Sequence, residues 1–499
     1  MRDLLLSETK HRLEAVPKIN EVPSSIFRER MCYIMASLMP NHVKKPKSIT
    51  ESVHGVCVDI SFEGKGVVKA EGETYFVPGI FPGEEGDIAF DYSRGGAKFG
   101  KVIKLDKVSP NRIQPRCKIC SACGGCCFQQ YDYPAQLIYK TNKVKEQFRK
   151  IAKMDVEPLP CIGMEEPYFY RNKIQMPFAK DNRGNLYCGF YKESTHVIVP
   201  VDTCYIEDER AKAVLDAVKK LGKSFHIEPY QEDEGRGFLR HVLIRTSKHK
   251  EQVMVVLVTY KDAFPSRSNF VKALLKECPF ITTVLQNVNS RHTNVILGEF
   301  ERTLYGPGYI EDVLCGISFK ISAKSFYQVN PVMTEKLYMK AIEAARLTKE
   351  DVVFDAYSGI GTIGMVASRH CKNVIAVEIV KEAVIDARRN AKHNGVENIS
   401  FYCDDASSFM VNMANKKEHV DVLFMDPPRK GSDQRCLDAV CKLSPSRIVY
   451  VSCDPSTLAR DVAYLSKKYQ LRSVQPVDMF PHTMHVETVA MLRLKDSKK

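Results

Sequence analysis

The sequence predicts an α/β protein whose C-terminal part is a doubly wound, Rossmann-like parallel sheet. Three observations carry that prediction. From about Thr334 onward, helix and strand patterns alternate regularly. The apolar run Val352–Phe354 leads into Gly359-x-Gly361-x-x-Gly364 and a helical pattern, which is the strand–turn–helix of a nucleotide-like binding site. A chain of 499 residues is also too long for one ordinary domain, so others precede this one.

Taken in chain order, residues 1–48 carry little pattern beyond a helix over Leu4–Val16 and a basic linker at His42–Lys47, and are read as an N-terminal extension. Residues 49–110 show short strands punctuated by Gly64, Gly66, Gly72, Gly79 and Gly83, and predict a small β-barrel. Residues 111–320 form a central α+β domain. It opens on the run CKICSACGGCC (Cys117–Cys127) and an amphipathic helix at Pro134–Met154. The polar face of that helix, with Lys140, Lys143, Lys145, Arg149 and Lys150, is read as solvated or as an RNA contact. Two strands joined by a hairpin around Lys248–Lys250 follow. Residues 321–499 form the α/β domain.

Composition narrows the function. Lys+Arg at 73 against Asp+Glu at 60 gives +13, which favours a polyanionic partner such as nucleic acid. The N-terminus is not an export signal, and no stretch approaches the roughly 18 apolar residues of a membrane span. The expectation is a cytoplasmic protein with no membrane partner. In that reducing compartment, clustered cysteines point to metal or catalysis rather than disulfides.

The chemistry lies at the ends of the C-terminal strands. NVIAVE ends in Glu378, where a carboxylate can accept from a ribose diol. ISFYCDDASSF puts Asp404 and Asp405 after the next strand, in reach of an adenine amino group. The glycine turn alone suits a dinucleotide as well as S-adenosylmethionine. VDVLFMDPPRKG tilts the choice to the latter, because Asp426-Pro427-Pro428 makes a stiff mouth where ligands of open α/β sheets sit. RIVYVSCDPS delivers Cys453 between polar, turn-prone neighbours, and FPHTMHVETVAML places Glu487 at the start of a last apolar strand. A thiol, a carboxylate and a methyl donor on one rim fit methylation of a pyrimidine at carbon 5. Cys453 is then the nucleophile at carbon 6, and Glu487 the base that removes the carbon 5 proton. A rival, amino-group methylation, has no use for Cys453 and usually places an aromatic residue where Arg429 stands. A second rival is an RNA-binding protein with a vestigial catalytic domain.

SCDPSTLARD, FPHTMHVE and SFYQVN resemble segments of the RNA (uracil-5-)-methyltransferase family, over about residues 50–495. The resemblance implies that Gln328, Tyr357, Thr362, Glu378, Asp405 and Asp426 bind S-adenosylmethionine. Thr362 and Asp405 stand where Asn is often found and Ser358 where Cys is, so the contacts at 362 and 405 depart from the usual pattern. It implies an OB-like TRAM module for the barrel, and phosphate contacts for Arg171 and Lys173. By spacing alone the cysteine run suits zinc, an iron–sulfur cluster or redox exchange. The family pattern Cys-x5-Cys-Gly-Gly-Cys-x-x-Gln matches Cys117, Cys123, Cys126 and Gln129, its fourth cysteine matches Cys204, and together these imply a structural [4Fe–4S] cluster. Cys120 and Cys127 are extra. The implied substrate is structured RNA, 23S ribosomal RNA ahead of transfer RNA, and the protein is expected to be a monomer.

Overall fold

Short strands broken by glycine turns close on themselves. In the computed structural model, which describes residues 52–192, 195–293 and 295–496, five strands form a barrel of order β1-β2-β3-β5-β4. They are β1 (Ser52–Ile60), β2 (Gly66–Ala70), β3 (Glu73–Val77), β4 (Glu85–Arg94) and β5 (Ala97–Lys107). Cys57, Val68, Tyr75, Val77, Ile80 and Ile88 fill it. One pair, β3 with β5, is parallel, and the closed five-stranded form is OB-like. The barrel is tied to the chain that follows by a buried ion pair. Glu84 accepts from Arg112 Nε (2.6 Å) and Nη2 (2.7 Å) and from the N–H of Phe81 (2.9 Å) and Ser109 (3.2 Å). The helix expected at 4–16 and the linker at 42–47 lie outside the described residues.

The cysteine run contains one helical turn, Cys120–Cys123. Helix α1 (Tyr133–Gln147) then starts with a proline in its first turn and ends in a π turn over Phe148–Ala152. Its cationic face departs from the sequence expectation. Lys140 is fully buried and Lys143 nearly so, while Ile138 stays exposed. Lys140 Nζ lies 2.5 Å from Asp478 Oδ1, and Lys143 Nζ donates to the carbonyls of Phe62 (2.8 Å) and Met484 (2.7 Å). Buried ammonium groups persist only when paired in this way. Lys143 therefore joins the barrel to the C-terminal domain, Lys140 ties α1 to that domain, and neither faces solvent.

The central sheet has the order β12-β11-β10-β9-β6-β7-β8. Its strands are β6 (Lys173–Lys180), β7 (Leu186–Tyr191), β8 (Ile198–Pro200), β9 (Leu239–Thr246), β10 (Val253–Thr259), β11 (Thr283–Val288) and β12 (Phe300–Tyr305). Strands β9 and β10 pair antiparallel across the hairpin read from the sequence. Every residue of β10 is buried because both faces are covered. Val253, Val255 and Leu257 pack with α2 (Glu209–Ser224) and α3 (Arg267–Glu277). Met254, Val256 and Val258 join a core that continues into the C-terminal domain.

A hairpin of β13 (Ile310–Leu314) and β14 (Ile317–Ile321) leads to α4 (Pro331–Ala345). Strict alternation follows: β15 (Val352–Ala356), α5 (Thr362–Ser368), β16 (Asn373–Glu378), α6 (Lys381–His393), β17 (Ile399–Cys403), α7 (Ala406–Lys416), β18 (Val422–Met425) and α8 (Gln434–Leu443). It ends with β19 (Arg447–Ser452), α9 (Pro455–Leu465), β20 (Tyr469–Val477) and β21 (Glu487–Leu494). The sheet order is β17-β16-β15-β18-β19-β21-β20, and only β21 runs against the rest. The order reverses between β15 and β18, and at that switch point the strand ends open a crevice for a ligand. Among the described residues, no helix is long and apolar enough to cross a membrane.

Lys140→Ala is expected to lower stability by about 3–5 kcal/mol, because it leaves the Asp478 carboxylate buried without its partner. Urea unfolding followed by circular dichroism measures this, and a change no larger than that of an exposed lysine would count against the pairing.

Candidate active site

One cross-strand row fixes the level of the site. Tyr402, Val377, Ala356, Met425, Tyr450 and Ala490 are register partners in succession. Tyr357, Glu378 and Asp426 each follow this row by one residue, so they share the carboxyl rim at the switch point. The glycine turn bends there. Gly359 and Gly361 adopt left-handed φ of 57° and 82°, and Tyr357, a residue with a side chain, adopts 66°. A Cβ at Gly361 would lie 2.7 Å from the Phe401 ring, whereas one at Gly359 would meet nothing within 4 Å. The turn therefore faces open space on the side where a nucleoside can approach.

The rim residues have partners of their own. Glu378 is buried and accepts from the N–H of Gly359 (2.9 Å) and Val380 (2.9 Å), so it pins the turn. The Thr362 hydroxyl lies 2.9 Å from that of Tyr338 on α4, a residue that sequence reasoning missed. The Tyr357 hydroxyl lies 3.4 Å from Cys436 Sγ. Asp405 caps α7, with one oxygen accepting from Ser408 N–H and Oγ, both at 2.9 Å. The Gln328 carbonyl accepts from Asn172 Nδ2 at 3.1 Å. The buried hydroxyl of Ser358 has no partner among the described residues.

The thiol and the carboxylate meet at the other end of the rim. Strands β19 and β21 pair Ser452 with Thr488, so positions 453 and 487 come next and face each other. Cys453 is half-buried and sits just before α9, whose N-terminus is capped by Asp454. Burial pushes its thiol well above the usual range, and the charges of Glu487 and Asp426 add to this, while Arg429 pulls it down. Glu487 is buried and pushed up to about 8, first by burial and then by Asp426, with Arg429 again opposing. Burial thus disfavours the charged form of both groups. Arg429, seen in the sequence only as the residue after the two prolines, is thus the cation that can favour either charged form.

The segment before Glu487 is held from both sides. His482 has φ 66° and is buried, and burial pushes its ring down to about 4, so the ring is neutral. Its carbonyl accepts from the N–H of Cys127 (3.0 Å) and Phe128 (3.1 Å). His485 is pushed down to about 3 by burial and by the charges of Arg429, Lys143, Lys140 and Arg171. The charge of Arg171 also acts on Glu207. Arg171 therefore lies between the cysteine site and the base segment. Its Nε donates to the Lys173 carbonyl at 3.1 Å.

The cysteines sort by direction. Cys117 lies close enough for its charge to oppose the ionisation of Cys123 and Cys126, and these two oppose that of Cys204. Gln129 bridges two of them, accepting the Cys117 N–H at 3.2 Å and reaching Cys126 Sγ at 3.6 Å. Cys120 lies beside Cys117, whereas Cys127 turns away to pack with Ile60, Phe81, Phe128 and Tyr131. A single zinc ion with bonds of about 2.3 Å draws its sulfurs to within about 4 Å of each other. Among the described residues, the one group of three or more such ligand atoms within 4.8 Å of each other is His54, Asp87 and Asp106 on the barrel. The cysteine sulfurs do not form such a group among the described residues.

Comparison with known proteins agrees with this geometry. The family described as tRNA (Uracil-5-)-methyltransferase matches residues 132–495. An uncharacterized RNA methyltransferase of Halalkalibacterium halodurans is 41% identical over 90% of this chain and 99% of that protein. One of Clostridium acetobutylicum is 42% identical over 88% and 96%. The crystal structure of the Pyrococcus abyssi tRNA (uracil-54, C5)-methyltransferase with S-adenosyl-L-homocysteine superposes with a TM-score of 0.72 at 28% identity, covering 88% of this chain and 99% of that one.

The raised Glu487 predicts a pH-dependent stability. The unfolded carboxyl ionises near 4.5 and the folded one near 8, so the stability held by the neutral acid is full below about 4.5 and lost as pH rises through about 8. Glu487→Gln, which cannot ionise, should therefore gain thermal stability relative to the native protein between about pH 5 and 8 and then hold that gain. A difference in melting temperature that does not change with pH would contradict the assignment.

Proposed function

The chain belongs to the tRNA (uracil-5-)-methyltransferase family and is an S-adenosylmethionine-dependent RNA methyltransferase, and from that premise we propose that it methylates carbon 5 of a uridine through a covalent Cys453 adduct. The observation that carries the reading is the register of β19 with β21, which sets residues 453 and 487 opposite each other at the rim. Bound at the glycine turn by Gln328, Tyr357, Thr362, Glu378, Asp405 and Asp426, S-adenosylmethionine supplies an electrophilic methyl group. The target base leaves its stack to reach the rim. Cys453 gives up its proton to water and its sulfur bonds to carbon 6, so that the carbon 5–carbon 6 electron pair moves toward the carbonyl and carbon 5 becomes nucleophilic. Carbon 5 takes the methyl group as the sulfur–methyl bond breaks and the sulfonium leaves as a neutral thioether, and Glu487 in its ionised form then takes the proton from carbon 5. The double bond re-forms and the sulfur–carbon 6 bond breaks. Arg429 favours both the thiolate and the carboxylate at their turns.

Cys117, Cys123, Cys126 and Cys204 are proposed to hold a [4Fe–4S] cluster with a structural role, since methyl transfer moves no electron. Burial keeps Cys126 at about 12, so loading the site releases protons. Residues 49–110 and 111–320 are proposed to dock structured RNA, with Arg171 and Lys173 among its phosphate contacts, and residues 321–499 to carry the chemistry.

The proposed RNA is 23S ribosomal RNA, on the resemblance of barrel and cysteine pattern. Transfer RNA is the second reading. The Pyrococcus abyssi protein is a transfer RNA enzyme, and a match over 88% of the chain extends beyond the central and C-terminal domains into the barrel. That architecture therefore does not by itself select ribosomal RNA.

RNA carrying 5-fluorouridine at the target should form a stable covalent complex with the native protein and none with Cys453→Ala, because fluorine cannot leave as a proton. Complex formation by Cys453→Ala would refute the nucleophile. Mapping 5-methyluridine in a strain lacking the gene should show loss from 23S ribosomal RNA, and loss from transfer RNA alone would favour the second reading. Anaerobically purified protein should carry about four irons and keep them in Cys120→Ala and Cys127→Ala but not in Cys204→Ala. Zinc without visible absorption would reject the cluster.

A further inference from the structure

We infer that Gln136 is a positioning residue for the catalytic base, acting through His482 on the segment that ends in Glu487. The inference rests on the reading of Glu487 proposed above.

Gln136 is fully buried on α1, and all of its hydrogen-bonding capacity is spent on two neighbouring stretches of chain. Its Oε1 accepts the His482 N–H at 3.0 Å. Its Nε2 donates to the carbonyls of Tyr131 (2.7 Å) and Phe128 (3.0 Å) and lies 3.3 Å from His482 Nδ1. The carbonyl of His482 is in turn held by the N–H of Cys127 and Phe128. The peptide units on both sides of His482 are therefore gripped from the cysteine segment, one directly and one through Gln136.

That grip has something to hold. A left-handed φ of 66° at a residue as large as histidine is unfavourable and persists only where the surroundings impose it. The His482 ring lies tilted against Tyr168 with centroids 4.6 Å apart, which adds a second constraint. At its far end the segment is pinned by Lys143 on the Met484 carbonyl, and at its near end by Lys140 on Asp478. Five residues after His482 comes Glu487, whose carboxylate has to reach the carbon 5 proton. Releasing His482 lets this segment relax into an ordinary conformation and shifts the base, while Cys453, on a different strand, keeps its place.

The predicted failure is therefore selective. Adduct formation and methyl transfer precede proton removal, so a displaced base slows only the release of methylated RNA. Gln136→Glu keeps the volume and the acceptor for the His482 N–H but loses both donors. Gln136→Met keeps the volume and loses all three bonds, and is measured in parallel so that the outcome does not hang on one variant's folding. With target RNA and S-adenosylmethionine, these variants should bind cofactor and form the covalent complex at native rates. They should release product roughly a hundredfold more slowly, the cost of a misplacement of about 1 Å, so that methylated adduct accumulates on denaturing gels. Glu487→Gln is run on the same RNA. If Glu487→Gln accumulates adduct while the Gln136 variants turn over normally, or slow every step alike, Gln136 is a structural fastening and the inference is overturned. If Glu487→Gln itself accumulates none, the proposed role of Glu487 fails instead.

Discussion

The antiparallel pairing of β21 with β19 is the constraint on which the rest of the site depends. In a wholly parallel sheet the start of β21 would lie at the opposite edge of the sheet from the end of β19, and residues 453 and 487 would be a strand's length apart. Reversing one strand brings the start of β21 to the level where β19 ends, so that a thiol leaving one strand meets a carboxylate entering the other. The same pairing explains the electrostatics. Two groups that are anionic when ionised are buried near Asp426, whose charge opposes the ionisation of both, and Glu487 opposes that of Cys453. Arg429, reached by the turn after the two prolines, is the counterweight.

The upstream domains bear on that rim through the loop joining β20 to β21. Helix α1 supplies Lys140 to Asp478 and Lys143 to the Met484 carbonyl, and the cysteine segment supplies two N–H groups to His482. The barrel reaches the same helix through the carbonyls of Ser61 and Phe62. A cysteine-rich segment far upstream in the chain is thus wired to the residues that precede the base. The cluster proposed for that segment would thereby have a structural reason to exist in an enzyme whose chemistry is not redox.

What was legible in the sequence follows from what periodicity and turn chemistry encode. The strands that end at Ala356, Glu378, Met425 and Ser452 read as apolar runs because both faces of a parallel sheet are buried, and the glycine turn read as a turn because only glycine fits against Phe401. The reading failed where a partner is remote. Lys140 looked like a surface cation because its partner, Asp478, lies 338 residues away. Cys120 and Cys127 both read as extra to the family pattern, and only tertiary packing sets one beside Cys117 and the other into an apolar junction. Tyr338 left no signal at all, since an aromatic residue on an amphipathic helix reads as core until its hydroxyl is seen beside Thr362.

The most direct test of the 453–487 pairing is the pH dependence of iodoacetamide labelling at Cys453, followed by mass spectrometry of its peptide. The thiol ionises above the pH at which Glu487 does, so the native thiol titrates against a charged neighbour. The account predicts that Glu487→Gln moves the labelling midpoint to lower pH. An unchanged midpoint would show that the two residues do not sense each other, and would contradict the site.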